Sequence, residues 1–301
     1  MHTNHWQHLL QALLAGDIQA LSRCISLVEN EVPGYEDLLC HLPLSRQSII
    51  GITGAPGAGK STLTDGLIEE IVKQNKRVAV LCVDPSSSFN RGALLGDRLR
   101  MNTWYNHPSV YIRSVASRCV LGGLSPTVIE VTDLLKAAPF DYIIIETVGV
   151  GQNEIEIAAL ADITVVVYVP EAGDEVQTMK AGIAEIADIF VVNKADRPGA
   201  QRFAHNLQTL VAQQQKKTSV IKTVATEKEG VGLLFEEILK KEQEAGKQDN
   251  KIKLLADRAY QLIQRSRMKD VTRKILEEAI QEQYRNDHFN IYRFAVQFAT
   301  G

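Results

Sequence analysis

The sequence predicts an α/β protein with a doubly wound, mainly parallel sheet. Short apolar runs alternate with stretches of helix-forming residues between residues 48 and 226. Several runs are apolar without interruption, as in residues 163–169, which is typical of strands that helices cover on both faces. Helical connections between the runs imply parallel strands joined by crossovers. Ligands of such sheets bind at the carboxyl ends of the strands.

The predicted strands span residues 48–53, 77–83, 109–113, 142–146, 163–169, 189–193 and 219–224. They belong to a central domain, residues 46–245. Residues 1–45 are predicted to form an N-terminal helical extension, because two apolar stripes at helical spacing flank a break at Gly16-Asp17.

Residues 246–301 are predicted to form a helical C-terminal segment. Apolar residues recur at three- and four-residue steps across residues 250–284, without glycine or proline. Two interpretations are open. The segment is a helical hairpin packed on the central domain, or it is a projecting arm for self-association.

Composition excludes several classes of function. The 301 residues carry a formal net charge of -3, which gives no support to nucleic-acid binding. No apolar run approaches the roughly 20 residues that span a bilayer, so no membrane segment is expected. The N-terminus lacks a signal-peptide pattern, and the four cysteines form no Cys-x-x-Cys pair. We therefore expect a cytoplasmic protein with reduced thiols.

The strongest motif follows the first predicted strand and precedes a helix. It has the pattern G-x-x-x-x-G-K-S of a phosphate-binding P-loop, and its residues are Gly54, Ala55, Pro56, Gly57, Ala58, Gly59, Lys60, Ser61 and Thr62. Glycines allow the backbone N–H groups to point at phosphate oxygens, and the following helix adds the positive end of its dipole. Lys60 is expected to reach the β- and γ-phosphates, and Ser61 to ligate Mg²⁺.

A second motif ends the predicted strand 142–146. Glu146 is followed by two spacers and Gly149, as in P-loop GTPases, where the acid holds Mg²⁺ and the glycine N–H senses the γ-phosphate. The acid is Glu rather than the more common Asp. We expect Glu146 to be a metal and catalytic residue, and Gly149 to lie in a switch.

A third motif, Asn193-Lys194-Ala195-Asp196, follows the strand 189–193 and has the guanine-reading pattern N-K-x-D. The carboxylate of Asp196 can accept two hydrogen bonds from guanine, whereas adenine has neither donor and would leave it unpaired. Asn193 is expected to brace the loop and Lys194 to lie along the base. Ala225 and Thr226, after the last predicted strand, are expected to support the base through their backbone N–H groups.

A fourth pair of candidates is acidic. Asp84 ends the strand that follows the P-loop helix, and Asp97 lies on a segment that can close over the γ-phosphate. Two interpretations are open: both acids help to position Mg²⁺ and water, or Asp84 forms an Asx turn and Asp97 caps a helix.

One expected group is absent. Many GTPases have, after the switch glycine, a Gln that orients the attacking water. Here Val150 follows Gly149, and the register of Gln152 differs. We therefore expect slow hydrolysis unless a partner supplies the missing group.

Together these segments resemble the MeaB/ArgK family of GTPases, whose members were formerly described as lysine/arginine/ornithine transport system kinases. The similarity rests on the runs that begin at Val83, Gly96, Glu146, Ala172 and Asn193, and it extends into both ends of the chain. The resemblance implies GTP or GDP and Mg²⁺ as cofactors, a homodimer joined through C-terminal helices, and an adenosylcobalamin-dependent acyl-CoA mutase as partner.

The resemblance also assigns roles to residues. It implies that Lys60, Asp97 and Glu146 are catalytic, and that Ser61, Asp84, Asp97 and Glu146 hold the metal. The switch residues that it implies are Gly149, Gln152, Asp174, Gln177 and Lys180. The sequence departs from the family at Glu171, where the family usually has Gly. This residue is expected to stiffen the switch segment 171–177.

Three functions compete at this point. The first is a GTP-binding and hydrolysing chaperone that gates cofactor loading into an acyl-CoA mutase, methylmalonyl-CoA mutase or a relative, and protects it. The second is a nucleotide-dependent kinase or ATPase of a basic amino-acid transport system, which Asp196 disfavours. The third is a nickel- or cobalt-insertion GTPase, whose Cys/His delivery motifs this sequence lacks.

Overall fold

The computed structural model describes residues 3–45, 47–85, 98–117, 125–147, 157–158, 160–171, 185–212, 217–244, 249–268, 270–284 and 289–300. The chain divides into two compact units, Met1–Gly246 and Lys247–Gly301. The three-part division at residues 45 and 245, with a dimerisation arm at its end, stays a prediction.

The first unit is built on a parallel sheet. Its strands, within the described residues, are β1 Ser48–Gly54, β2 Val78–Pro85, β3 Val110–Ser117, β4 Tyr142–Thr147, β5 Ile163–Tyr168, β6 Ile189–Val192 and β7 Ser219–Lys222. Their order across the sheet is β3-β2-β4-β1-β5-β6-β7, and every neighbouring pair is parallel. All seven predicted strands and the parallel sheet are confirmed.

Each strand ends one to four residues from its predicted end, and the difference is greatest in β3. β3 continues past residue 113 to Ser117, because it pairs with β2 along its whole length. The polar residue Ser114 concealed this continuation in the sequence. β6 ends at Val192, so Asn193 is the first residue beyond the sheet.

Helices cover both faces of this sheet, as the continuous apolar strands require. They are α1 Thr3–Leu14, α2 Ile18–Glu29, α3 Tyr35–Cys40, α4 Lys60–Lys73, α5 Pro126–Ala137, α6 Ala200–Ala212 and α7 Val231–Glu244. Alternate residues of β4 face opposite ways: Ile144 packs in one core with α4 and α7, whereas Ile143 and Ile145 pack in another with α2 and α5. α6 packs on Phe190 and Val192 of β6.

The N-terminal helices share the core of this unit. The Asp17 carboxylate caps α2 by accepting the backbone N–H groups of Gln19 and Ala20 at 2.8 and 3.1 Å. Leu13 and Leu21 are fully or almost fully buried in the core that includes α5. The two predicted apolar stripes are therefore two helices joined by a capped turn.

The second unit contains α8 Asp249–Arg267, α9 Arg273–Gln283 and α10 Ile291–Thr300. The predicted helical span breaks before α9, where the Thr272 hydroxyl accepts the N–H of Ile275 at 3.3 Å. Large apolar side chains of this unit are exposed, including Leu255, Leu262, Ile263, Tyr292 and Val296. Among the helices that the structure describes, none is long and apolar enough to cross a membrane.

Candidate nucleotide site

The P-loop, residues 54–62, connects β1 to α4 in a conformation that its glycines permit. Gly54 has φ +141, and a Cβ there would lie 2.2 Å from the carbonyl oxygen of Val167 on the neighbouring strand. Gly59 has φ +88, and a Cβ there would lie 2.4 Å from Nδ2 of Asn193. At these two positions a side chain would collide with a neighbouring segment, so glycine is required for close packing as well as for the turn.

Lys60, the first residue of α4, directs its ammonium group back across the P-loop. Its Nζ donates to the carbonyl oxygens of Gly54 and Ala55, at 2.8 and 2.9 Å, and the residue is only 5% exposed. The buried positive charge lies beside the N-terminus of a 14-residue helix. Both features favour the binding of an anion at this position.

Glu146 lies beside the P-loop helix at the carboxyl end of β4. It is paired with Ile52 of β1 and is 2% exposed. The Ser61 hydroxyl donates to Oε1 at 2.6 Å, and the Thr64 hydroxyl donates to Oε2 at 2.7 Å. The structure therefore brings Ser61 and Glu146 together as the motifs predict. It also adds Thr64, which the sequence reasoning missed.

Asp84 is the penultimate residue of β2 and lies at the same edge of the sheet. Cys82 is paired with Glu146, and Asp84, two residues further along the strand, lies on the same face because side chains alternate. It is 2% exposed. Ser61, Asp84 and Glu146 therefore offer buried oxygen atoms along one face, and such hard ligands suit Mg²⁺.

Asn193 connects the P-loop to the segment that follows β7. Its Nδ2 donates to the carbonyl oxygen of Ala58 at 2.8 Å. Its Oδ1 accepts the Thr223 hydroxyl at 3.0 Å and the N–H of Ala225 at 3.1 Å. Every hydrogen bond of this buried side chain therefore holds one loop of the site against another. Thr223, two residues before Ala225, was also missed.

The base loop, residues 193–197, is a tight turn. Lys194 has φ +55, and its Nζ donates to the carbonyl oxygen of Gly57 at 2.8 Å. The N–H of Ala195 donates to Thr223 at 3.0 Å, and the N–H of Arg197 donates to Lys194 at 3.0 Å. Asp196 is exposed at the tip of this turn. The loop is thus fixed at both sides while its carboxylate faces solvent, an arrangement that suits recognition of a base.

A family model matches residues 21–280, and its description is methylmalonyl-CoA mutase-associated GTPase MeaB. The chain belongs to the MeaB family. The resemblance and the α/β fold predicted from the sequence are both confirmed.

Three known proteins illustrate the similarity. A Pyrococcus horikoshii protein named as a presumptive GTPase is 47% identical over 240 residues, 76% of this chain and 75% of its own length. The fused isobutyryl-CoA mutase of Geobacillus kaustophilus is 38% identical over 204 residues, 64% of this chain but 19% of that protein. A crystal structure of a LAO/AO transport system kinase has a TM-score of 0.69 at 22% identity, covering 100% of this chain and 98% of its own. That last likeness concerns the fold alone.

Ala225 and Thr226 of this MeaB-family chain begin a short 3₁₀ turn, Ala225–Glu227, which Thr223 and Val224 separate from β7. Ala225 is buried and its N–H is bonded to Asn193, whereas Thr226 is exposed. The N–H of Ala225 therefore holds Asn193 of the base loop in place, and support of the base by Ala225 and Thr226 stays a prediction.

Six of the predicted residues lie outside the described part of the chain: Asp97, Gly149, Gln152, Asp174, Gln177 and Lys180. The description resumes after Asp97 with a 3₁₀ segment, Arg98–Trp104. Met101 is fully buried, and Nε1 of Trp104 donates to Asp65 of α4 at 2.7 Å. This segment is therefore anchored on the P-loop helix.

Glu171, three residues after β5, forms an ion pair with Arg197 of the base loop. The hydrogen bond from the Arg197 guanidinium is the main reason why the pKa of the Glu171 carboxyl lies below its usual value. Sequence reasoning singled out Glu171 as a departure from the family but did not identify this partner. The pair connects Glu171, which precedes the predicted switch residues Asp174, Gln177 and Lys180, to the residue next to Asp196.

Proposed function

We propose that this chain binds GTP and GDP together with Mg²⁺, hydrolyses GTP, and through its nucleotide state controls an adenosylcobalamin-dependent acyl-CoA mutase. The observation that carries the nucleotide part is the junction of three loops at one edge of the sheet. Ser61 contacts Glu146, and Asn193 contacts both Ala58 and Ala225. The phosphate, metal and base elements of a GTPase are thereby held in contact.

Each residue has a task in this proposal. Lys60, now bonded to two P-loop carbonyls, neutralises phosphate charge, and Asp196 accepts two hydrogen bonds from guanine. Ser61, Asp84 and Glu146 hold Mg²⁺, directly or through water, and Asp97 is proposed to join them. When bound, Mg²⁺ supplies positive charge for the β- and γ-phosphate oxygens.

The competing assignments find no separate support in the described site. A transport-system kinase or ATPase would use ATP, and the carboxylate at the tip of the base loop suits guanine rather than adenine. A nickel- or cobalt-insertion GTPase would have the same kind of nucleotide site. Identifying the protein that this chain binds therefore decides between that function and the mutase assignment.

Two findings support a mutase as the client. The matching family model is described as methylmalonyl-CoA mutase-associated, and in the fused isobutyryl-CoA mutase the similar region is 19% of a longer chain. A module that exists inside a mutase chain in one organism is a reasonable separate partner of a mutase in another. Gating of cofactor loading and protection of the mutase are the roles that we propose for the complex.

The proposed function predicts slow hydrolysis by the free protein, because Val150 cannot orient water, and faster hydrolysis in the complex. Completion of such a site by a partner accelerates hydrolysis by about 10³–10⁵-fold in other GTPases. Phosphate release is measured while the acyl-CoA mutase of the same organism is titrated in. Affinity for the mutase is measured with GDP and with a non-hydrolysable GTP analogue, and the two values should differ. A mutase that neither binds nor changes turnover would refute the partner assignment and leave the GTPase assignment intact.

A further inference from the structure

We infer that Thr64 is a positioning residue that holds the carboxylate of Glu146 in the orientation in which it serves the metal site. This inference rests on the proposed binding of Mg²⁺ together with the nucleotide. Thr64 lies outside the G-x-x-x-x-G-K-S pattern, and the motif assigns it no role.

Thr64 lies next to the proposed metal ligands Ser61 and Glu146. It lies three residues after Ser61 in α4, so the two side chains share one face of the helix. Thr64 is fully buried. Its hydroxyl is 2.7 Å from Oε2 of Glu146 and 3.0 Å from the carbonyl oxygen of Lys60. One proton serves both acceptors, and the shorter contact to a carboxylate oxygen is the stronger one.

The two oxygens of Glu146 have different hydroxyl donors. Ser61 is bonded to Oε1 at 2.6 Å and Thr64 to Oε2 at 2.7 Å. If a lone pair of the Ser61 oxygen binds the metal, its proton can still be donated to Oε1, and the remaining lone pair of Oε1 is available to a metal-bound water. Of these two donors, Thr64 is the one with no proposed role as a metal ligand, so its effect on the metal passes through Glu146.

A glutamate needs such an anchor more than an aspartate does. Its side chain has one more rotatable bond, so its carboxylate can adopt more positions around the same backbone. In P-loop GTPases the acid at this position is more commonly Asp. Thr64 therefore compensates for the extra freedom of Glu146, and its hydroxyl selects the orientation in which Oε1 faces Ser61.

This role predicts a defect that depends on the metal. Removing a hydrogen-bond partner behind a metal ligand typically lowers metal affinity by about 10–100-fold. Thr64→Val keeps the shape of the side chain but removes the hydroxyl. It should lower the apparent Mg²⁺ affinity of the GDP complex by that factor, while GDP binding in excess EDTA stays close to wild type.

The experiment measures fluorescent GDP binding to the full chain across a series of free Mg²⁺ concentrations. Mn²⁺ binding to the GDP complex, followed by electron paramagnetic resonance, gives a direct readout of the metal. Thr64→Ser restores a hydroxyl and should recover most of the metal affinity. Thr132→Val is the matched control: Thr132 is also buried in a helix and bonded to the carbonyl four residues earlier, at 2.7 Å, but it lies in α5 and has no carboxylate partner among its described hydrogen bonds.

A double-mutant cycle tests whether Thr64 acts through Glu146. In the Glu146→Asp background the carboxylate is one methylene shorter and loses its contact with Thr64. Adding Thr64→Val to that background should then have little further effect on metal affinity. If Thr64→Val alone does not fold, Thr64→Ala and Thr64→Ser are compared in both backgrounds.

The outcomes separate this inference from the proposed function. If wild-type protein binds GDP without any dependence on Mg²⁺ or Mn²⁺, the proposed metal site fails. If wild type depends on the metal but Thr64→Val binds it equally well, the inference about Thr64 fails. Equal losses for Thr64→Val in EDTA and in Mg²⁺, or equal losses for Thr64→Val and Thr64→Ser, would also overturn it, because both results indicate a purely structural role.

Discussion

The side-chain amide of Asn193 donates a hydrogen bond to the carbonyl oxygen of Ala58, 2.8 Å away, and thereby joins the base loop to the P-loop. The same side chain accepts hydrogen bonds from Thr223 and Ala225. Binding of the base and binding of the phosphates are therefore coupled through one buried residue, and this coupling can be tested.

Asn193→Ala should weaken binding of every nucleotide, whatever its base. The substitution leaves the Ala58 carbonyl, the Thr223 hydroxyl and the Ala225 N–H without their present partner, and each buried group left unsatisfied costs about 1–3 kcal/mol. We expect GDP affinity to fall by at least about 10-fold, measured by isothermal titration calorimetry with thermal melting as the control for folding.

Gly59→Ala provides an independent test of the same junction, because its Cβ would lie 2.4 Å from Nδ2 of Asn193. It should also reduce affinity for GDP. Wild-type binding by both variants would show that the junction does not contribute to the site.

Asp196→Asn should change which base is bound without affecting folding, because Asp196 is exposed. An amide cannot accept both guanine hydrogen bonds but can pair with xanthine, so affinity should shift from GDP towards xanthosine diphosphate. Displacement of a fluorescent nucleotide by GDP, xanthosine diphosphate and ADP measures the shift. Asp37→Asn, at another exposed aspartate in α3, is the control. Equal affinity of wild type for ADP and GDP would contradict guanine recognition.

Lys60→Ala should abolish GTP hydrolysis and strongly weaken nucleotide binding, because it removes the cation that the P-loop carbonyls hold in place. Phosphate release and circular dichroism are measured together. The control is Lys73→Ala in the same helix, since Lys73 forms only exposed ion pairs with Glu69 and Glu70, which contribute little. Turnover at the wild-type rate in Lys60→Ala would refute the assignment.

The sequence was sufficient for the fold because the strands are short apolar runs with polar residues at both ends. β4 and β5 are buried along their whole length. A short, continuous apolar run of this kind is typical of a strand that is covered on both faces. Strand ends were harder to predict. β3 continues through Arg113 and Ser114 because β2 offers it a complete ladder of backbone partners, and such a ladder has no local signature.

The site was predictable where chemistry depends on local spacing and was missed where it depends on contacts between distant segments. Lys60, Ser61 and Asn193 were found from motifs. Thr64 was missed because its partner, Glu146, is 82 residues away, and a threonine inside a helix is unremarkable in a sequence. The pairing of Glu171 with Arg197 was missed for the same reason. The predicted switch residues Gly149, Gln152, Asp174, Gln177 and Lys180 lie outside the described part of the chain and stay predictions.

The second unit is expected to mediate self-association. Leu262 and Ile263 of α8 are each 53% exposed, and large exposed apolar side chains favour an interface. Light scattering should give twice the chain mass for the full protein and the monomer mass for a truncation that ends at Gly246. Replacement of both residues by Gln should weaken the dimer, whereas Lys274→Gln, at an exposed ion pair of α9, should not. If the full-length protein is a monomer at micromolar concentration, the second unit is not a dimerisation arm.

Glu171→Gln should speed the release of GDP. The ion pair with Arg197 connects Glu171, three residues after β5, to the base loop. Because both side chains are about half exposed, we expect GDP release to be only about two- to five-fold faster. Added salt should reduce the difference from wild type. Because the pKa of Glu171 lies below its usual 4.5, the pair is present at neutral pH and is lost only as pH falls through that lowered pKa. Stopped-flow release of fluorescent GDP measures the rate, and the swap Glu171→Arg with Arg197→Glu should restore it. If the single variant and the swap accelerate release equally, Arg197 is not the partner through which Glu171 acts.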